Sequence, residues 1–126
     1  MSARRSPLTS PKEGSVVTKA VLRAAEMTGV SAKVLASVLG VSESEVSRMK
    51  QARKDLAPGA KSFELGVMFL RLFRSLDAIV GGERAVAAAW LKNHNTVLDG
   101  RPIEKIQTIA GLTDVIAYLD ARRAVI

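Results

Sequence analysis

Residues 32–51 read AKVLASVLGVSESEVSRMKQ, and the order of small, apolar and polar residues in this stretch decides the fold of the N-terminal half. Ser31 is placed to cap a helix ending near Leu39, Gly40 breaks it, and Ser42 caps a second helix to about Gln51. Ser42 followed by Glu45 has the spacing of a capping box, in which the two residues satisfy each other's backbone N–H. Two short helices that cross need a small residue at the crossing, and Ala36 supplies it. Four residues on, the turn needs a left-handed backbone; Gly40 stands there, and glycine adopts it without strain. Six residues further, Val46 should point back into the angle between the helices, with Leu35, Leu39, Val41 and Met49 completing the apolar interior.

The side chains left to face outward are Ser42, Glu43, Ser44, Ser47, Arg48 and Gln51. They are short or hydrogen-bonding, as a helix entering the major groove requires. The pattern therefore reads as a helix-turn-helix, with a helical hairpin that has no DNA role as the competing interpretation. Arg48 is the candidate for a guanine or phosphate contact. Together with Lys50, Arg53 and Lys54 it places four cations within seven residues. Beside a recognition helix these suit phosphate neutralisation; elsewhere they would be a solvated helix end.

Outward from this core, residues 1–14 are basic, polar and proline-containing, and read as a flexible tail. Arg4 and Arg5 could form a minor-groove arm, although an ordinary disordered tail explains them too. Ser15 is placed to cap a helix to about Met27, with Val17, Ala20, Val21 and Ala24 at helical spacing and Gly29 beyond its end. Pro58 and Gly59 mark a linker closing a domain over 15–60. A long helix is expected over 61–80, with Phe63, Val67, Leu70, Phe73 and Leu76 as its stripe. Gly81 and Gly82 interrupt it, and a helix over 83–92 follows with Val86, Ala89 and Trp90 apolar. Residues 61–92 are thus expected to connect the halves or to dimerise, Phe63, Phe69, Leu72 and Phe73 supplying core or dimer interface. Residues 93–101 are polar and loop-like; Pro102 opens a short helix to about Ile109, and a last helix runs from Leu112 to about Arg123. No repeat and no convincing strand appear, so the fold class is all-α.

The formal charge of +7 is uneven: residues 1–60 hold ten Lys/Arg against five Asp/Glu, while residues 61–126 hold nine against seven. A basic N-terminal half favours an anionic partner. With no cysteine and the single histidine His94 in a polar loop, a metal centre has no ligand set, and no catalytic constellation or cofactor motif is present. An enzyme is not expected. Nothing approaches the roughly 18 apolar residues of a membrane span, and the first residues lack the apolar stretch of a secretory signal, so a cytoplasmic location is expected.

LASVLGVSESEVSRMKQ resembles the DNA-binding domain of Xre-type repressors in Leu35-Ala36, Leu39 to Ser42 and Val46 to Arg48. Met49 departs from the aromatic often found there, a swap that adaptable methionine should accommodate. Residues 93–126 resemble the toxin-binding domain of the Xre/MbcA/ParS antitoxins. The shared features are Trp90-Leu91, Asn93, Leu98-Asp99-Gly100-Arg101-Pro102-Ile103, Gly111-Leu112 and Val115 to Asp120. This resemblance implies a non-enzymatic antitoxin that pairs with a RES-domain toxin, which consumes NAD or transfers ADP-ribose, and that represses the shared operon. It implies a toxin-binding surface from Asn93, Arg101, Tyr118, Arg122, Arg123, Val125 and Ile126. A homodimer is expected because operators have two half-sites. The alternatives are a stand-alone Xre-type repressor whose C-terminal half only dimerises, and an interaction module without DNA binding.

Overall fold

The computed structural model describes residues 11–125. The readings placed on Arg4, Arg5 and Ile126 lie outside the described residues. Among those described there are seven helices and no strand: α1 (Pro11–Thr28), α2 (Ala32–Leu39), α3 (Glu43–Lys50), α4 (Lys61–Val80), α5 (Arg84–Lys92), α6 (Pro102–Lys105) and α7 (Ile109–Arg123). The all-α class is as expected.

Four details differ from expectation. The first helix begins at Pro11, ahead of Ser15. Its early turn is held by tertiary contact, because Gly14 lies where a Cβ would come 2.6 Å from the carbonyl oxygen of Leu56. Thr18 ties the same two segments: its hydroxyl donates to Gly14 O at 2.7 Å and accepts from Leu56 N at 2.8 Å. At the other end of the chain, α6 stops at Lys105 and α7 starts at Ile109, because Thr108 caps it by accepting from Gly111 N.

The buried faces of α4 and α5 are also rotated from those expected. In α4 the buried residues are Phe63, Leu65, Gly66, Phe69, Leu72, Ser75 and Leu76, whereas Val67 is 45% exposed. In α5 Ala87 and Leu91 are buried, and Val86 and Ala89 face solvent. The cause is that α4 is central, packing against α1, α2, α5 and α7 rather than linking two separate halves. Gly66 permits the closest approach, since a Cβ there would meet Leu56 Cδ1 at 3.0 Å and Val21 Cγ2 at 3.3 Å. One hydrophobic cluster results, running from Val21 and Leu39 through Phe69 and Leu72 to Val115 and Leu119. Burying each such side chain contributes on the order of 1.5–3 kcal/mol.

Candidate nucleic-acid interface and C-terminal surface

The α2–α3 unit is built as its residue order dictates. Ser31 caps α2 by accepting from Val34 N, and Gly40 ends it at φ +70°, where the N–H of Val41 returns to Ala36 O at 3.0 Å. Ser42 and Glu45 form the full capping box: Ser42 Oγ accepts from Glu45 N at 3.1 Å, and Glu45 Oε1 accepts from Ser42 N at 3.3 Å. Leu35, Ala36, Leu39, Val46 and Met49 are buried between the two helices and α4, and Val41 is half-buried against them.

With Val46 and Met49 turned inward, Ser42, Glu43, Ser44, Ser47, Arg48, Lys50 and Gln51 all face solvent, as do Arg53 and Lys54 beyond the helix. Their charges are not equally available. Lys54 Nζ is paired with Glu45 Oε2 at 2.8 Å. This contact, ahead of the Ser42 backbone hydrogen bond, holds the Glu45 carboxyl below its ordinary value. Arg53 Nη1 lies 3.4 Å from Gln51 Oε1. Among the described residues Arg48 and Lys50 form no ion pair, which leaves them the most available cations of the helix. Folding also brings Lys19 and Arg23 of α1 to the same groove as Lys50. Sequence reading missed both, because nothing local relates α1 to a residue some thirty positions away.

The residues expected to form the C-terminal surface divide into three groups. Arg101 acts within the chain: its Nε donates to Lys92 O at 2.7 Å and its Nη1 pairs with Glu104 at 3.0 Å. It thereby clamps the 93–101 loop to the end of α5, where Asn93 is exposed. The same loop is closed by reciprocal Asn95–Gly100 backbone hydrogen bonds and by Asn95 Oδ1 accepting from Leu98 N, with Asp99 at φ +55°. His94 is exposed in it.

Tyr118 and Arg122 form the second group. The Tyr118 ring stacks on Trp90 with centroids 6.1 Å apart, and the Arg122 guanidinium lies 5.6 Å from the Tyr118 centroid. Trp90, an apolar residue of α5, is half-buried and belongs to this surface.

Arg123 is separate from both groups and lines a groove with Arg71, Arg74, Val67 and Asp120. Asp120 fastens α7 to α4, accepting from Ser75 Oγ at 2.7 Å and from Arg71 Nη2 at 2.6 Å. The Ser75 hydroxyl first, then Arg71, keeps its carboxyl below the ordinary range. Val125 is 82% exposed at the end of the described chain.

Among the described residues no group of three or more His, Asp or Glu side chains is placed to hold a metal ion, and no helix is long and apolar enough to cross a membrane. A family model for the antitoxin Xre-like helix-turn-helix domain matches residues 7–71, just over half of the chain. A second, for the antitoxin Xre/MbcA/ParS C-terminal toxin-binding domain, matches residues 75–124. No curated protein matches the chain significantly.

Proposed function

The chain belongs to the Xre/MbcA/ParS family of antitoxins, and from that premise we propose that it neutralises a RES-domain toxin and represses its own operon. One observation carries this reading: a helix-turn-helix whose polar face is solvent-exposed among the described residues and a match to a toxin-binding domain share a single chain and a single core. The protein acts as a binding protein and performs no catalysis.

DNA is bound by α3. Arg48 reads a base or phosphate, with Lys50, Gln51 and Arg53 beside it and the short side chains of Ser42, Glu43, Ser44 and Ser47 allowing close approach. Lys54 serves mainly to hold Glu45. Two copies bind two half-sites as a homodimer in the cytoplasm.

The toxin is met by the end of α7. Such a toxin handles NAD, either hydrolysing it or passing on ADP-ribose, and its pocket must accept a planar cationic nicotinamide ring next to phosphates. Guanidiniums are planar and cationic, so Arg122 and Arg123, followed by the apolar Val125 and Ile126, suit a segment that covers such a pocket. Tyr118 fixes the Arg122 direction by the ring contact, and Asn93 flanks the approach. Arg101 supports this surface by holding the loop.

The test is growth of a host expressing the adjoining gene with and without this chain. Growth arrest by the neighbour, relieved by this chain but not by its Tyr118→Ala/Arg122→Ala variant, is the expected result. No arrest, or equal relief by the variant, would remove the toxin assignment or the surface assignment respectively. The first of those outcomes would leave a stand-alone repressor whose C-terminal half only dimerises.

A further inference from the structure

We propose that α1 supplies a second contact to the DNA backbone. Lys19 and Arg23, facing Lys50 across a groove, bind phosphates that flank the base pairs presented to α3. This inference rests on reading α3 as the recognition helix, and it assigns a role to two residues outside the helix-turn-helix.

The groove, about 490 Å³ in volume, lies between α1 and the α2–α3 unit. Leu22, Val30 and Leu35 contribute to its floor, and Lys19, Arg23, Glu26 and Lys50 line it. Three of its four charged groups are therefore cationic. Lys19 and Arg23 are both exposed and stand four residues apart, on one face of α1. That spacing is a rise of about 6 Å. Phosphates of one DNA strand recur about every 3.4 Å along its axis, so two long side chains at this separation can each meet a different phosphate.

The position of Lys50 sets where the strand must pass. It is the last residue of α3, at the helix end where unpaired carbonyls and the macrodipole make the local field negative. A phosphate approaching that end is repelled by the backbone and needs cations around it. Arg48 and Lys50 supply two from α3 itself, and α1 supplies the others from across the groove.

Glu26 does not cancel them. Its carboxylate is 3.7 Å from Arg23 Nη1, with both side chains about two-thirds exposed, at 69% and 65%. Such a surface pair is weak and screened by salt. A phosphate offers Arg23 a bidentate partner instead, and binding releases condensed counterions.

The experiment measures affinity of the full-length chain for two duplexes of equal length across a salt series. One duplex is the segment upstream of its own gene, and the other is the same composition scrambled. Lys19→Ala/Arg23→Ala is compared with wild type and with Arg74→Ala/Arg84→Ala, which removes the same net charge elsewhere. The expected result is a fall in the slope of log K against log salt by roughly 0.9 for each lost phosphate contact. The fall should be equal on both duplexes and absent from the control pair. If the double variant follows the control while wild type binds, the α1 contact is wrong and the α3 reading survives. If wild type shows no salt-dependent binding to either duplex, the α3 reading fails and this inference fails with it. All four substituted side chains are exposed, and unchanged melting temperatures check that the fold is kept.

Discussion

Arg48 is one of two long cations of α3 that form no ion pair among the described residues, the other being Lys50 at the last position of the helix. Ser44 and Ser47 leave room beside it, and Val46 and Met49 anchor the opposite face. An arginine reading guanine through two hydrogen bonds gives about 1–3 kcal/mol of discrimination, or roughly five- to 150-fold in affinity. Arg48→Ala should therefore lose that factor on the specific duplex and little on a scrambled one, as a mobility-shift titration at fixed salt would show. Equal losses on both duplexes would make Arg48 a phosphate contact rather than a base reader. At this scale the sequence was informative: capping, turn and core residues at 31–49 occupy the roles their spacing implied, since such roles depend on neighbours within one or two helical turns. Arg101 and Lys54 were less legible. Each is an exposed cation in sequence, and only the fold shows that one holds Lys92 O and Glu104 and the other holds Glu45.

The junction of α6 and α7 depends on a glycine for a reason of space. Gly111 has ordinary helical backbone, but a Cβ there would run into the carbonyl of Lys105 and approach Thr108 Oγ1 at 3.0 Å. The Thr108 cap requires the two short segments to lie this close, because Thr108 Oγ1 accepts from Gly111 N at 3.1 Å. Gly111→Ala must push α6 away or break the cap. The first cost is an overpacking of about 1–3 kcal/mol and the second about 1 kcal/mol. A loss of about 1–3 kcal/mol in urea unfolding is expected. A neutral result would mean that the α6–α7 turn has slack. Helix boundaries in this half were misjudged from sequence because the Thr108 cap competes with the apparent break at Gly111. Capping geometry, not the glycine, sets where α7 begins.

Across the molecule, Asp120 joins the final helix to the central one. Its carboxylate is charged and doubly hydrogen-bonded when folded, so its folded pKa lies below its unfolded value of about 3.9. The stabilisation is accordingly present in full above the unfolded pKa and disappears as pH falls through the lower folded one. Asp120→Asn should cost about 1 kcal/mol near neutral pH, the modest figure reflecting an Arg71 side chain 67% exposed to solvent. The gap between variant and wild type should close as pH drops below about 4, read by urea unfolding followed through Trp90, the one tryptophan of the chain. A gap that stays unchanged well below that pH would show that packing, not the charge, matters at this position.

The sequence by itself determined the all-α class, the helix-turn-helix at 31–51 with its inward and outward faces, and the family of both halves. Each follows from spacing within a few turns or from contiguous motifs. Only the tertiary structure decided that α4 is the core helix shared by both halves, that Trp90 of α5 stacks on Tyr118 of α7, and that Lys19 and Arg23 line one groove with Lys50. The reason is physical. An alanine- and leucine-rich helix has several apolar arcs of similar hydrophobicity. Which arc is buried is settled by the shape of the helices packed against it, a property that no local pattern encodes.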